Sequence, residues 1–389
     1  MAIRAALTLA DIYGPGRVFL PRPSFTPYHF LPPDNALLDS ISGGQLTVAG
    51  DLAVVCAGAT ATDWILDLLR TVGLDVAKQL IRYQGPEDLA AILRDLGTRS
   101  GSVVVQHLLP ERELAVGSYW IPPRLLAALN NKANLDRLVP ARHRPRREVV
   151  PREELARMRL AAPVVLKAAT DLSSGAGQAV VICRHPGDLD RAAARFANCR
   201  SVVVEEYLAI RANHCVQFVI TDDRIDHLGT APQVTDDQGA YHGNWLGDEP
   251  APADLIAVGR AVADRAARLG YRGVAGFDIV TTQDDRTLVL DLNFRLNGST
   301  VPLLLAPGIR AAIGTPLLRF RSWRVDASGP ALRRTLGVAA RSGLIPLGVF
   351  DPAASPYPAA PGRVAGLLPG ASRDEVEAVV QHLARLGLH

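Results

Sequence analysis

The chain contains 389 residues, of which 48% are hydrophobic and 21% charged, and its net charge at pH 7 is +3. This length suits two to four domains with a large core, and the small net charge argues against a nucleic-acid partner. The sequence has no 18 consecutive uncharged apolar residues, and its four cysteines lack metal-binding spacing. We therefore expect a cytoplasmic protein with reduced thiols and no membrane span.

Residues 1–125 alternate between strand-like and helix-like patterns. The predicted strands cover 52–56, 75–83 and 102–107, and the predicted helices cover 62–71 and 86–96. Such alternation predicts an α/β domain built on a parallel sheet. No GxGxxG motif follows the first strand, which argues against dinucleotide binding.

Lysine is rare in the next part of the chain and in the chain as a whole. Of the 42 basic residues only Lys78, Lys132 and Lys167 are lysines, so a compact ammonium group is expected to matter where one is retained. Lys132 lies in a predicted helix over 125–138, and Lys167 interrupts the apolar strand 163–169. The alternative for Lys167 is an edge-strand lysine that prevents aggregation.

A loop of small residues, 171–177, follows the Lys167 strand and precedes a strand over 178–183. Such a loop can fold over phosphate groups with its backbone N–H groups, although a plain hairpin turn has the same composition. Further on, two acids end the strand 201–208, and 213–220 is another strand. Residues 227–245 are predicted to be a long mobile loop that lines a substrate site. A helix follows over 253–269.

The stretch 289–300 alternates apolar and polar residues, which predicts a half-buried strand with one polar face. With a turn centred at 284–285, the preceding strand 276–281 pairs with it so that Asp278 lies opposite Asp291. Two facing carboxylates destabilise a sheet unless a cation is present, and oxygen ligands of this kind suit Mg²⁺. The alternative is an ordinary polar sheet face. Beyond 300 the only clear signal is a capping box at 372–375 that opens an amphipathic helix.

The ordered set of these features, from Lys132 to Arg295, resembles the ATP-grasp superfamily over roughly residues 125–310. The resemblance implies an α/β fold with an α+β lid, in which a pre-ATP-grasp α/β domain precedes two lobes that hold ATP between them. The implied domains are 1–125 (pre-ATP-grasp), 126–204 (first lobe with the lid), 205–325 (second lobe with the metal site) and 326–389 (a C-terminal segment ending in a helix).

The resemblance also implies a role for each matching residue. Lys132 and Lys167 would contact the nucleotide phosphates, and Ser173, Ser174, Gly175 and Gly177 would form the lid. Glu205 would bind the adenine amine, with Glu206, Tyr207, Leu208 and Asn213 completing the nucleotide site. Asp278, Asp291 and Asn293 would hold two Mg²⁺ ions, or Mn²⁺, and Arg295 would join Lys167 in catalysis. The family commonly has Glu where this chain has Asp291, so the mode of chelation is open.

The implied activity is an ATP-dependent ligase that joins a carboxylate to an amine through an acyl phosphate and releases ADP and phosphate. Among ATP-grasp ligases, the sequence looks most like peptide ligases of the pheganomycin type and amino-acid ligases, which act in small-molecule or peptide biosynthesis. Expected substrate contacts are Arg211, His214, Tyr241, His242, Asn244 and Asn297, with Arg211 equally interpretable as a surface charge. The alternatives are a small-molecule kinase and a non-catalytic nucleotide-binding protein. A homodimer is left open.

Overall fold

A computed structural model describes residues 2–26, 30–155, 157–158, 162–172, 177–236, 239–247 and 250–389. The N-terminal part is an α/β unit around a parallel sheet in the order β3-β2-β1-β4. Its strands are β1 (Val18–Leu20), β2 (Ala53–Ala57), β3 (Leu80–Tyr83) and β4 (Val103–Val105), and its helices are α1 (Leu9–Tyr13), α2 (Asn35–Ile41), α3 (Asp63–Thr71) and α4 (Pro86–Leu96). The predicted α/β organisation is confirmed, and α4 matches its predicted bounds.

A second, antiparallel sheet follows in the order β5-β8-β6-β7. It contains β5 (Arg147–Pro151), β6 (Val164–Ala169), β7 (Val180–Cys183) and β8 (Ser201–Glu206), together with the helices α7 (Arg152–Leu155) and α8 (Pro186–Arg195). The chain reaches this sheet through α5 (Pro123–Asn130) and α6 (Leu135–Leu138).

The single helix predicted over 125–138 is wrong, because α5 and α6 are separated by a short 3₁₀ turn, Lys132–Asn134. The side chain of Asn131 accepts a hydrogen bond from the backbone N–H of Ala133 (3.0 Å), as a residue that caps a new helix does. Asparagine competes in this way with the helical hydrogen bonds of the backbone. The break places Lys132 at a corner of the chain rather than along a helix face.

The third sheet has eight strands in the order β13-β12-β9-β10-β11-β14-β16-β15, and each neighbouring pair is antiparallel. The strands are β9 (Ile210–Ile220), β10 (Ile225–Thr235), β11 (Tyr241–Leu246), β12 (Gly273–Thr282), β13 (Thr287–Asn293), β14 (Leu317–Val325), β15 (Ile345–Phe350) and β16 (Gly362–Gly370). The helices are α9 (Ala253–Arg268), α10 (Thr300–Ile313), α11 (Gly329–Arg341) and α12 (Arg373–Arg385). Residues 326–389 therefore extend the sheet of the second lobe.

The mobile loop predicted over 227–245 is wrong, because most of this segment forms β10 and β11. Gly229, Pro232 and scattered polar residues hide the alternation that marks a strand. The strand forms because β10 pairs with β9 from Ile225 to Pro232, apart from an irregularity near Gly229. Tertiary pairing overrides local propensity here.

Two large hydrophobic clusters hold these layers together. One contains Phe218, Phe277 and Phe294, whose rings pack on one another beneath α9. The other joins the N-terminal unit to α10 and to the C-terminal strands, with Leu304 and Ile309 at its centre. Across the described segments of the chain, none of the helices has both the length and the apolar character that a bilayer crossing requires. Residues from all three sheets, or from the loops next to their strands, line the cleft described next.

Candidate active site

The site is organised by the β12–β13 hairpin. The predicted pairing is confirmed, since Asp278 lies directly opposite Asp291. The pairing does not arise from a regular hairpin, however. Nearer the turn Ile279 faces Val289, and the register shifts by one residue before Asp278, which leaves Leu290 as the extra residue of a β-bulge. The bulge therefore brings the two carboxylates face to face.

The two facing acids differ in their pKa values, which are shifted in opposite directions. Burial, with the charge of Asp291 as the second cause, raises the pKa of Asp278 to about 6. The pKa of Asp291 is lowered: burial opposes ionisation, but the charge and hydrogen bond of Lys132 outweigh it. Asp278 accepts hydrogen bonds from Gln233 Nε2 (2.7 Å) and Asn293 Nδ2 (3.4 Å). Two carboxylates and an amide oxygen at one place are hard ligands that suit Mg²⁺.

Lys132 and Lys167 both reach this hairpin from other elements. Lys132 Nζ donates to Asp291 Oδ1 at 2.5 Å, so the ammonium neutralises one of the two acids. Lys167 projects from β6 and donates to the carbonyl oxygen of Leu290 (2.9 Å). That carbonyl belongs to the residue of the bulge. The two predicted phosphate-binding lysines are therefore brought to one place, beside the paired acids.

Lys167 also forms a buried ion pair with Glu205 Oε1, in which the exposed fractions of the two side chains are 7% and 2%. The second carboxylate oxygen of Glu205, Oε2, is buried and accepts no hydrogen bond from the described residues. A buried acceptor without a donor is costly unless a ligand supplies one. An exocyclic amine of adenine is a donor of the kind that this oxygen requires.

Glu206 faces the opposite side of β8 and serves a different purpose. It accepts from the backbone and side chain of Arg146 (2.8 and 3.1 Å) and from Arg286 (3.0 Å). Burial raises the pKa of Glu206, but the combined effect of these hydrogen bonds is larger than that of burial. The pKa of Glu206 is therefore lowered. The sequence-based assignment of its side chain to the nucleotide therefore has no support in this geometry, because strand alternation separates it from Glu205.

The remaining predicted nucleotide contacts follow β8 or lie on β9. Tyr207 is partly exposed, with the guanidinium of Arg184 5.8 Å from its ring centre. Leu208 is buried in a small apolar cluster with Val280 and Leu288. Asn213 Nδ2 donates to Gln233 Oε1 (3.2 Å), while Asn213 Oδ1 is buried without a partner among the described residues. These groups offer an apolar wall and one unused acceptor.

Arg295 follows the hairpin and is held by a residue that the sequence did not single out. Its Nη1 donates to Asn130 Oδ1 (3.1 Å), which also accepts from the backbone N–H of Phe294 (3.0 Å). His107, at the end of β4, is buried beside it: burial, followed by the charge of Arg295, lowers the pKa of His107 to about 3. His107 is therefore neutral, and the cation in this corner is Arg295.

The paired acids, Lys132 and Arg295 lie on the wall of one cleft, whose cavity volume is about 340 Å³. Its wall includes Gln106, His107, Lys132, Gly177, Gln178, Gln233, Tyr241, Asp278, Asp291, Asn293, Arg295 and Asn297. Gly177 is the one predicted lid residue that is described, and it lies at this cleft. Ser173, Ser174 and Gly175 lie outside the described residues.

The predicted substrate contacts are only partly brought together. Tyr241 and Asn297 line the cleft. Asn244 is fully buried and holds the hydroxyl of Tyr241 and the carbonyl of Pro232, so its role is structural. Asn297 also organises the start of α10 through Ser299 and Thr300.

Three further predicted contacts lie elsewhere. Arg211 forms an exposed ion pair with Asp285 at the hairpin turn (2.6 Å), which agrees with the alternative of a surface charge. His214 faces away from the cleft, because alternation along β9 places its neighbours Asn213 and Cys215 on the cleft side. The imidazole of His242 contacts Asp236 at 3.1 Å in an exposed pair.

Sequence reasoning missed Asn130 and His107 and did not assign Gln233 to the metal site. Asn130 lies two residues before Lys132 in the sequence. A polar residue at the end of a helix does not by itself indicate a functional site. His107 follows β4 of the N-terminal sheet, and ligands commonly bind at the carboxyl ends of parallel strands. Gln233 lay within the segment wrongly assigned as a loop.

Two family models match the chain. One, described as "L-aspartate--L-methionine ligase, ATP grasp", matches residues 145–293, and the other, described as the N-terminal domain of L-aspartate--L-methionine ligase, matches residues 8–127. The first match contains Lys167, Glu205, Asp278, Asp291 and Asn293. The second corresponds to the N-terminal α/β unit.

Solved structures with the same fold span nearly the whole chain. An L-amino acid ligase from Bacillus licheniformis matches with a TM-score of 0.55 at 14% identity, over 96% of this chain and 98% of that chain. N5-carboxyaminoimidazole synthetase from Staphylococcus aureus, complexed with ADP, has a TM-score of 0.57 at 10% identity, over 98% and 99%. Phosphoribosylamine–glycine ligase from Thermotoga maritima has a TM-score of 0.58 at 14% identity, over 96% and 97%.

The site geometry, the two family matches and the shared fold lead to one conclusion. Paired acids, Lys132 and Arg295 line one cleft, and Lys167 contacts the bulge residue of the same hairpin, in the order along the chain that the sequence predicted. The family models describe a ligase, and the structural neighbours share its architecture. The chain belongs to the ATP-grasp ligases, which use ATP to join a carboxylate to an amine.

Proposed function

We propose that this ligase joins one carboxylate of L-aspartate to the amine of L-methionine, or of an amino acid with a similar apolar side chain. The proposal is supported by the descriptions of the two family models, which match the N-terminal unit and most of the ATP-grasp region. The observation that carries the chemistry is the pairing of Asp278 with Asp291, with Lys132 and Lys167 beside the pair.

Asp278, Asp291 and Asn293 fit a divalent cation. Their oxygens are hard donors. Burial, and after it the charge of Asp291, raises the pKa of Asp278, and a bound cation would oppose both effects. Bound Mg²⁺ supplies positive charge against the phosphate oxygens of ATP. In the absence of other ligands, Lys132 neutralises Asp291, and the same ammonium is long and flexible enough to turn to a phosphate.

Adenine binds where Glu205 Oε2 is left without a donor, beside the apolar wall that contains Leu208. Asn213 Oδ1 offers a second unused acceptor, which suits a ribose hydroxyl. Lys132 and Lys167 then hold phosphate oxygens above the hairpin. Positioning and charge neutralisation are the main requirements of phosphoryl transfer, and these residues provide both.

The reaction proceeds in two steps. A carboxylate oxygen of the acid substrate attacks the γ-phosphorus of ATP, the bond to the bridging oxygen breaks, and ADP leaves. The amine nitrogen of the second substrate attacks the carbonyl carbon of the acyl phosphate, the C–O bond breaks, and phosphate departs with the electron pair while the nitrogen loses a proton. Arg295, fixed by Asn130, stabilises the oxyanion at the reacting carbon.

The test is incubation of the protein with ATP, Mg²⁺, L-aspartate and L-methionine, followed by mass spectrometry and a phosphate assay. We expect one phosphate released for each conjugate, whose mass is the sum of the two amino acids less one water. Asp278→Asn is the inactive control. A conjugate of other amino acids would contradict the named substrates but keep the ligase, whereas a phosphorylated end product would favour a kinase.

A further inference from the structure

A second cleft adjoins the catalytic one, on the far side of Tyr241. It lies between α2 of the N-terminal unit and the β14–β16–β15 part of the large sheet, and its cavity volume is about 530 Å³. The two clefts share Leu37, Ile41 and Tyr241 in their walls, so a ligand in the second cleft reaches the first past these residues.

The second cleft combines apolar walls with surplus positive charge. Leu37, Ile41 and Phe320 contribute apolar surface. Arg324 and Arg363 lie directly opposite each other on β14 and β16, an arrangement of like charges that destabilises a sheet unless an anion lies between them.

Only one of these arginines is neutralised. Arg363 donates to Asp34, the N-cap residue of α2, at 2.7 Å. Arg324 is exposed and has no ion pair with an acid among the described residues. Its backbone is fixed by hydrogen bonds to His389 (2.7 and 2.9 Å), so the guanidinium extends from a rigid strand into the cleft. The charge of one arginine remains available for a ligand.

We propose that this cleft binds the amino acid that donates the amine, with its free carboxylate on Arg324 and its apolar side chain against Leu37, Ile41 and Phe320. The inference rests on the proposed function, since it concerns the second substrate of the same reaction. A guanidinium binds one carboxylate bidentately, and apolar walls favour an uncharged side chain over a strongly hydrated polyanion.

The position of the cleft also explains how the enzyme distinguishes its two substrates, both of which contain a carboxylate. The acid substrate must present its carboxylate to the cation site and Arg295. The amine substrate must keep its own carboxylate away from the γ-phosphate, or it would be phosphorylated instead. The second cleft contains Arg324 and opens beside Tyr241 toward Asp278 and Asp291. It therefore holds the carboxylate of the amine substrate away from the γ-phosphate, while the amine faces the reacting carbon.

The test compares L-methionine with L-methioninamide, which lacks the carboxylate charge, in the wild type and in Arg324→Gln. For the wild type we expect kcat/KM to be at least about tenfold higher for methionine, the effect of one charge-assisted hydrogen bond. In Arg324→Gln the KM for methionine rises by about tenfold or more, the preference over methioninamide disappears, and the KM values for ATP and aspartate stay within about twofold.

Two further variants separate binding from general damage. Arg333→Gln removes an exposed arginine on α11 and should change none of these constants. Ser322→Phe fills the cleft from an exposed position on β14, and should lower kcat/KM for methionine far more than for glycine. An unchanged preference for methionine over methioninamide in Arg324→Gln would overturn the proposal, as would a rise confined to the KM for aspartate or ATP.

The experiments give different results if this inference is wrong and if the proposed function is wrong. If the wild type forms a conjugate but Arg324→Gln keeps its preference for the carboxylate, only the cleft assignment is wrong. If no conjugate forms, calorimetric titration of methionine into the protein with a non-hydrolysable ATP analogue and Mg²⁺ decides the matter. Binding that Arg324→Gln abolishes supports the cleft without the ligation, and no binding contradicts both.

Discussion

Lys132 Nζ lies 2.5 Å from Asp291 Oδ1, although 158 residues separate them along the chain. The lysine thus neutralises one of the two facing acids, and in the proposed function it also contacts a phosphate group of ATP. A side chain with these two roles links the nucleotide to the cation site, so each should bind better when the other is present.

The first prediction concerns this lysine. Lys132→Ala should raise the KM for ATP by about tenfold to a hundredfold, because a charge-assisted hydrogen bond to phosphate is lost. Lys78→Ala is the matched control, since Lys78 is 77% exposed and pairs with Asp51 on the surface. Steady-state kinetics at varied ATP measures both. Equal effects in the two variants would remove the phosphate assignment of Lys132.

The second prediction concerns the buried acid Asp278. Its pKa is about 6 in the folded protein against an ordinary value of 3.8, so the folded state binds the proton more tightly. The stability that this group contributes is present below pH 4 and is lost as the pH rises to about 6, by at most about 3 kcal/mol. Asp278→Asn should therefore stabilise the metal-free protein at pH 8 but not at pH 4.

Urea denaturation in EDTA at the two pH values measures this difference. The variant should also lose ligase activity, because a cation ligand is removed. An identical change in unfolding free energy at pH 4 and pH 8 would show that Asp278 carries no unfavourable charge in the folded protein.

The third prediction concerns the pair of Lys167 and Glu205. Lys167→Met should lower the free energy of unfolding by about 3 to 5 kcal/mol, because it leaves the carboxylate of Glu205 buried without its cation. The buried pair thus makes Lys167 important for stability as well as a candidate phosphate contact. The double variant Lys167→Met/Glu205→Leu should recover most of that loss.

Activity should remain absent in both variants, since phosphate and adenine contacts are missing. Thermal denaturation and a phosphate assay on the same samples separate the two effects. A double variant that regains turnover together with stability would show that Lys167 and Glu205 serve only the fold.

The fourth prediction concerns Asn130, which positions Arg295. Asn130→Ala should lower kcat by about tenfold to a hundredfold while the KM for ATP changes little, because the arginine loses the acceptor that fixes it. Asn130→Asp retains an acceptor oxygen and should restore a large part of the rate. A KM effect without a change in kcat would place Asn130 in nucleotide binding instead.

The residues of the candidate site stand out in the sequence because their chemistry opposes their surroundings. Asp278 and Asp291 occur in strands, where carboxylates are poorly suited, and Lys167 interrupts an apolar run. A residue that local structure disfavours is a signal that can be read without coordinates. The facing of the two acids was predicted from an assumed turn, yet it depends on a bulge at Leu290 that the pattern does not reveal.

The missed features depend on contacts between distant parts of the chain. β10 contains Gly229 and Pro232 and becomes a strand through its pairing with β9. Arginine is a residue type that often contacts ligands, and Arg211 was predicted to do so, but the hairpin turn brings Asp285 beside it. Glu205 and Glu206 are adjacent in sequence, and only the sheet shows that one faces Lys167 and the other a pair of arginines.

Helix α2 forms part of the wall of both clefts, through Leu37 and Ile41, although it belongs to the N-terminal unit. Chimaeric ligases made by exchanging that unit between relatives would therefore inherit part of their amino-acid selectivity from the donor of the first hundred or so residues. Laboratory recombination at the linker before β5 would alter substrate choice while it leaves the metal-binding hairpin untouched.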